Sequence, residues 1–241
     1  MKTETIEYRS GATSMRGELV YDETKTGRRP GILICHDIMG LGSDPRRRAK
    51  MLVELGYVAF AADMYGNGKT PKDFPEGMGW LTALLNDRAE LRRRVDGARA
   101  ALAARPEVDA GKIAAIGYCF GGTTVLELAR SGAAVKGVVS FHGGLNTPHP
   151  TDAKNIKGQV LVCHGADDPL VPPAEVEAFV KEMKEGGVDW ELIQYGNTVH
   201  AFTNPANDGK ANPAAKYNKK ADEHSWESMK ELFADIFGQG A

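Results

Sequence analysis

The sequence predicts an α/β fold with a mostly parallel sheet, because short apolar runs alternate with longer segments of helical periodicity. Six runs are almost continuously apolar, as expected of strands that helices cover on both faces. They are residues 31–36, 57–63, 112–118, 135–142, 159–165 and 190–196. A further pair, residues 3–10 and 14–21, surrounds the turn at Gly11-Ala12 and predicts an antiparallel N-terminal edge.

The segments between these strands carry apolar stripes at helical spacing, which predict helices packed on the sheet. The stripes comprise residues 91, 95, 98 and 102, residues 176, 179, 180 and 183, and residues 226, 229, 232, 233, 236 and 237. Stretches rich in glycine, asparagine, proline and lysine at 66–79 and 204–220 are predicted to be loops that form the walls or lid of a site. The arginine runs 46–48 and 92–94 are predicted to lie on solvated helix faces. We expect a single domain over residues 1–241.

Composition excludes several classes of function. Thirty basic and 32 acidic side chains leave a net charge of −2, which disfavours nucleic acid and anionic membranes as partners. No apolar run approaches the roughly 20 residues of a spanning helix, and the N-terminus lacks a secretory signal, so we expect a cytoplasmic protein. Three widely spaced cysteines predict no disulfide framework, and no metal-ligand spacing occurs. We expect no cofactor and no metal.

The strongest local motif is Gly-Tyr-Cys-Phe-Gly-Gly at 117–122, between an apolar strand and a helical segment. Cysteine at such an elbow is presented as a nucleophile, and the helix N-terminus behind it favours the thiolate. The alternative is a small buried cysteine in a glycine-rich turn. The glycine spacing fits neither GxGxxG nor a phosphate-binding loop.

An acid and a histidine follow in the order that a nucleophile elbow predicts. Asp167 and Asp168 come just after strand 159–165, and His200 comes just after strand 190–196. A histidine in such a loop can reach the thiol, and a carboxylate in the neighbouring loop can orient its ring. Cysteine, acid and histidine in this order, with the acid and the histidine each just after a strand, are difficult to explain by chance.

With these motifs the chain resembles the dienelactone hydrolase family, a cysteine-nucleophile branch of the α/β-hydrolases, over nearly its whole length. The matching segments are residues 32–41, 56–66, 117–122, 165–172 and 200–205. The resemblance implies a triad of Cys119, Asp168 and His200, with Asp168 at the fourth position of GxxDxxVP. It also implies an oxyanion hole from the backbone N–H groups of Ile38 and Phe120.

Two positions depart from the family's pattern. Asp37 stands where the family usually has a glutamate that modulates the nucleophile, and either it reaches Cys119 less well or the backbone shifts to compensate. Asn204 occupies a position where members acting on dienelactone have a carboxylate-binding arginine. Neutral esters or lactones are therefore the expected substrates, with Trp80, His142 and Asn204 as candidate substrate-binding residues. Met39, Met64, Phe74, Met78 and Phe120 are candidate apolar walls.

The sequence thus predicts a hydrolase that cleaves small-molecule esters or lactones through a thioester, as a monomer or a homodimer. The same cysteine could instead act on activated phosphotriesters or phosphonate esters. A different class of protein, a non-catalytic ligand-binding protein or a thiol redox sensor, would keep the cysteine but would have no need of an orienting acid.

Overall fold

The chain builds one eight-stranded sheet, as seen in a computed structural model that describes residues 1–238. The strands are β1 (Lys2–Ser10), β2 (Thr13–Tyr21), β3 (Arg29–Cys35), β4 (Val58–Ala62), β5 (Val108–Tyr118), β6 (Gly137–Phe141), β7 (Gln159–Gly165) and β8 (Trp190–Tyr195). Their order in the sheet is β1-β2-β4-β3-β5-β6-β7-β8. β2 is antiparallel to both β1 and β4, and all other pairs are parallel. The predicted fold class and antiparallel edge are confirmed.

Helices cover both faces of this sheet. They are α1 (Ser43–Glu54), α2 (Phe74–Asn86), α3 (Arg88–Ala103), α4 (Phe120–Arg130), α5 (Pro173–Gly186) and α6 (Lys219–Phe237). Alternate residues of β3 serve opposite faces, because side chains alternate along a strand. Leu33 and Cys35 belong to the core on the side of α3, α4 and α5, whereas Ile32 and Ile34 belong to the core on the side of α1 and α6. Burial on both faces explains why the strand runs are continuously apolar.

The predicted loop 66–79 is too long, because α2 begins at Phe74. The Asp73 carboxylate caps the helix by accepting from the Glu76 N–H at 2.9 Å, and Pro75 fits the first turn. The loop predicted at 204–220 likewise ends early, since Asn218 caps α6 through the Ala221 N–H. Asp-x-x-Glu at 73–76 was a sequence signal for the first of these starts.

The prediction of solvated arginine runs is wrong for Arg48, whose side chain is 1% exposed. Its guanidinium donates to the Thr203 carbonyl at 2.8 Å and to the Asp222 carboxylate, and it lies over the Tyr118 ring. Arg92 is partly buried and bonds to the Glu127 carboxylate at 2.8 Å. Each of these two arginines pairs with a carboxylate that is distant in the sequence but near in space.

No helix within residues 1–238 combines the length and apolar character that crossing a lipid bilayer would require. Residues 239–241 of the predicted single domain lie outside the described part of the chain, and the domain assignment stays a prediction.

Candidate active site

Cys119 occupies a sharp turn between β5 and α4. Its backbone has φ +55° and ψ −115°, which non-glycine residues rarely adopt. Glycine is needed on both sides of it: a Cβ at Gly117 would overlap the Gly121 carbonyl, and one at Gly121 would overlap the Cys35 carbonyl. The turn therefore holds Cys119 in a strained position at the N-terminus of a helix whose eleven residues are all buried. This is the strand–turn–helix context that the motif predicted.

His142 supports this turn from the end of β6. The Cys119 N–H donates to the Phe141 carbonyl at 3.0 Å and to His142 Nδ1 at 3.1 Å. Because Nδ1 accepts, the ring proton is on Nε2, which donates to Thr203 Oγ1 at 2.8 Å. Burial, the nearby His200 and Arg48 lower the pKa of His142 well below its ordinary value. His142 lines the cavity, and both of its ring nitrogens bond to the protein, which holds the elbow in place.

Asp168 and His200 form a hydrogen-bonded pair. Asp168 Oδ2 accepts from His200 Nδ1 at 2.7 Å, and Oδ1 accepts from the Leu170 N–H at 2.9 Å. The backbone of His200 is fixed in turn, since its N–H donates to the Ala214 carbonyl. The neighbouring Asp167 is exposed and does not take part.

The free ring nitrogen of His200, Nε2, is buried in the cavity that Cys119 also lines and has no hydrogen-bond partner within residues 1–238. Burial by itself would lower the pKa of His200. Attraction to Cys119 and the hydrogen bond to Asp168 outweigh burial and raise this pKa to about 10. The raised pKa favours the protonated form of the imidazole.

Ile38 and Phe120, whose backbone N–H groups are the predicted oxyanion hole, both line the same cavity. Neither N–H group has an acceptor in residues 1–238, while the Ile38 carbonyl is anchored by the Tyr65 hydroxyl at 2.9 Å. Asp37 also lines the cavity, and burial raises its pKa. Its Oδ1 accepts from the Met39 N–H at 2.8 Å, and no hydrogen bond joins it to Cys119 in the described chain. Asp37 closes its own turn rather than holding the thiol.

The cavity has a volume of about 500 Å³ and is largely apolar. Its larger apolar side chains are Ile38, Met39, Phe74, Met78, Leu81, Leu85, Phe120, Leu170 and Val171. Three carboxylates border it, those of Asp37, Asp44 and Glu175, and none of the described lining residues is lysine or arginine. Asn204 also lines the cavity, with its side-chain oxygen accepting from the Ala206 N–H at 3.0 Å.

Trp80, a predicted substrate-binding residue, lies away from this cavity. Trp80 packs edge-on against Tyr65, with ring centroids 5.2 Å apart, and lies outside the lining of this cavity. Its position on α2 explains this, because Phe74 and Met78 face the cavity and Trp80 projects from a different side of the helix. Met64 is also absent from the lining and is completely buried in the core.

Sequence reasoning missed Leu81, Leu85, Leu170 and Val171 as lining residues. For the two residues on α2 the sequence did carry a signal, because Phe74, Met78, Leu81 and Leu85 recur at helical spacing. The role of Thr203 beneath His142 had no sequence signal.

Residues 16–237 match the model of the dienelactone hydrolase family. The chain belongs to the dienelactone hydrolase family. A solved structure named m3DLH is 43% identical with a TM-score of 0.94, each chain being covered to 98%. A dienelactone hydrolase-like promiscuous phosphotriesterase from metagenomic libraries is 41% identical with a TM-score of 0.93, again with 98% of each chain covered.

A Salmonella typhimurium protein, provisionally named a carboxymethylenebutenolidase, is 26% identical over 88% of this chain and 80% of its own. The predicted family and enzyme class are therefore confirmed: the chain is a dienelactone hydrolase-like hydrolase of the α/β-hydrolase fold.

Proposed function

We propose that this dienelactone hydrolase family member hydrolyses uncharged esters or lactones through a thioester on Cys119. His200 acts as general acid and base, and Asp168 orients its ring. The observation that carries the proposal is the buried 2.7 Å bond between Asp168 and His200, because the His200 ring lines the same cavity as Cys119.

In the first half-reaction, the Cys119 thiolate attacks the substrate carbonyl carbon. A C–S bond forms, and the carbonyl electron pair moves onto oxygen. The free N–H groups of Ile38 and Phe120 are suited to bind this oxyanion. When the carbonyl re-forms, the C–O bond to the alcohol breaks, and the leaving alkoxide takes the proton from His200 Nε2.

In the second half-reaction, water cleaves the thioester. The imidazole is neutral because it has given its proton to the alcohol, and the acylated sulfur carries no charge, so the attraction of Cys119 no longer raises the pKa of His200. His200 Nε2 can then accept a proton from water as its oxygen adds to the thioester carbon. Collapse breaks the C–S bond, releases the carboxylic acid and restores the thiolate beside a protonated His200.

Uncharged substrates are favoured by the side chains that line the cavity. Asp37, Asp44 and Glu175 border it, while the described lining offers no lysine or arginine to bind a substrate carboxylate. Asn204 stands at the position where the family's arginine would do so, and its oxygen is held in its own turn. An anionic lactone would therefore bind weakly.

A second candidate activity is hydrolysis of activated phosphotriesters, which the 41% identical phosphotriesterase favours. The Cys119 thiolate would attack phosphorus, forming a P–S bond as the P–O bond to the aryl group breaks and the aryl oxide leaves with the proton of His200 Nε2. Water activated by His200 would then cleave that bond. A triester carries no charge, which suits a cavity whose described lining holds no lysine or arginine.

Kinetics on three probes test both candidates: 4-nitrophenyl butyrate, dienelactone and an aryl dialkyl phosphotriester. We expect turnover of 4-nitrophenyl butyrate, and we expect kcat/KM for dienelactone to be at least tenfold lower than for this ester. Cys119→Ala should abolish turnover, whereas Cys163→Ala, which alters a buried thiol in β7, should retain it. Cys119→Ser should be strongly impaired, because a hydroxyl lacks the acidity of a thiol.

Mass spectrometry of the quenched enzyme should detect an acyl group on Cys119 during turnover. Activity retained by Cys119→Ala would overturn the proposal. A thiol that is acylated once and never released would support the non-catalytic alternative instead.

A further inference from the structure

One face of α2 is apolar along its whole length and borders the proposed site. Phe74, Met78, Leu81 and Leu85 follow one another at steps of four, three and four residues, and all line the cavity. Residues at this spacing lie on one side of a helix. With a rise of about 1.5 Å per residue, the face extends over about 16 Å.

This face is poorly covered by the rest of the chain at its N-terminal end. Phe74 is 56% exposed and Met78 is 39% exposed, and Leu170 near Asp168 is 58% exposed. Within residues 1–238, six large apolar residues are exposed, and four of them line this cavity. The four are Met39, Phe74, Met78 and Leu170. Exposed apolar side chains gathered at one place indicate a binding surface, whereas scattered ones do not.

The polar groups of the cavity lie elsewhere in its wall. The Asp168–His200 pair belongs to loops that follow β7 and β8, and Cys119 follows β5. The carboxyl ends of these strands share one edge of the sheet. An ester that reaches Cys119 would thus have a reactive polar end at the strand ends and an apolar remainder facing α2.

We propose that the α2 face, together with Leu170, binds an extended apolar group of the substrate. The preferred substrates are then neutral esters with medium or long apolar chains rather than acetate esters or small lactones. This inference rests on the proposed ester hydrolysis and adds the substrate class. The occupant is the substrate itself, because the apolar face is continuous with the cavity that holds Cys119.

A chain-length series tests it. Nitrophenyl esters from acetate to decanoate place the chain on the acyl side, and acetate esters of straight-chain alcohols place it on the other side. Each methylene fully removed from water is worth up to about fourfold. For partial burial we expect kcat/KM to rise at least tenfold from butyrate to octanoate, or over the same four methylenes in the alcohol series. A flat profile in both series would overturn the inference.

Two variants connect the preference to the face. In Met78→Ser and Leu170→Ser, the ratio of kcat/KM for octanoate to that for acetate should fall at least fivefold. The matched control is Leu55→Ser, which removes a 37% exposed leucine at the end of α1, outside the cavity. Leu55→Ser should keep the wild-type ratio. An equal fall in all three variants would also overturn the inference.

Binding of 2-octanone, measured by calorimetry, separates this inference from the proposed function. If no ester is turned over, ester hydrolysis fails, and the ketone alone decides whether the face binds apolar chains. A dissociation constant raised at least threefold by Met78→Ser and unchanged by Leu55→Ser would support it. Equal affinities for wild type and Met78→Ser would refute it.

Discussion

Asp168→Asn should impair this enzyme through the tautomer of His200. In the wild-type protein Asp168 Oδ1 accepts from the Leu170 N–H at 2.9 Å, and Oδ2 accepts from His200 Nδ1 at 2.7 Å. The Leu170 N–H will retain the amide oxygen of the asparagine, so the NH₂ group must face His200. Nδ1 then has to accept, which places the single ring proton on Nε2. A neutral ring of this kind cannot take a proton at Nε2 from the thiol or from water.

The magnitude follows from the bond that is lost. Hydrogen bonds to charged groups contribute about 1.5–3 kcal/mol, which corresponds to about 10- to 150-fold in rate. The Asp168 side chain is completely buried, so solvent does not weaken this contribution. The change of tautomer adds to it, and we expect kcat/KM for 4-nitrophenyl butyrate to fall by at least about 100-fold.

The pKa of His200 should fall in the same variant. In the wild-type protein it is raised to about 10, partly by Asp168. Without that carboxylate the imidazolium is less stable and loses its proton at lower pH, which the ¹⁵N shifts of the ring nitrogens report directly. Asp167→Asn is the matched control, since it removes a neighbouring exposed carboxylate and should change neither quantity. A loss of less than threefold in Asp168→Asn, or equal losses in both variants, would refute the reasoning.

Stability offers further tests. Arg48→Met should lower the free energy of unfolding by about 3–5 kcal/mol, because the buried Asp222 carboxylate loses its guanidinium. Arg46→Met removes an exposed ion pair and should cost less than about 1 kcal/mol in the same urea titration. Gly121→Ala should lower Tm and reduce the free energy of unfolding by about 1–3 kcal/mol, which is typical of overpacking, because the added Cβ would overlap the backbone of β3. Gly79→Ala has open space within α2 and should raise stability by up to about 1 kcal/mol.

The strands were predictable because each is buried on both faces, and burial of that kind leaves a continuous apolar run in the sequence. β7 was predicted with its observed bounds, residues 159–165. The start of α2 was not, since Pro75, Gly77 and Gly79 suggested a loop, although Asp73 and Pro75 together are typical of a helix start. The burial of Arg48 depends on Asp222, which is 174 residues away along the chain. Nothing local in the sequence distinguishes it from Arg46.

The candidate site was predictable in outline for a topological reason. Parallel strands bring the loops after β5, β7 and β8 to one edge, so the order of cysteine, acid and histidine already implied proximity. The sequence did not indicate which atoms meet. His142 bonds to the Cys119 N–H across 23 residues, and Trp80 misses the cavity because of its angular position on α2. Both depend on side-chain directions, which spacing alone constrained poorly.

The two histidines beside Cys119 depend on each other. Their rings are 5.2 Å apart in an edge-to-face arrangement, so a positive charge on one disfavours a positive charge on the other. His200 holds the charge because Asp168 and Cys119 both stabilise it, and its charge adds to burial in lowering the pKa of His142. A neutral His142 is what the elbow requires, since a protonated Nδ1 would face the Cys119 N–H, donor against donor. The charge that prepares His200 to protonate a leaving group therefore also keeps the support beneath the nucleophile intact.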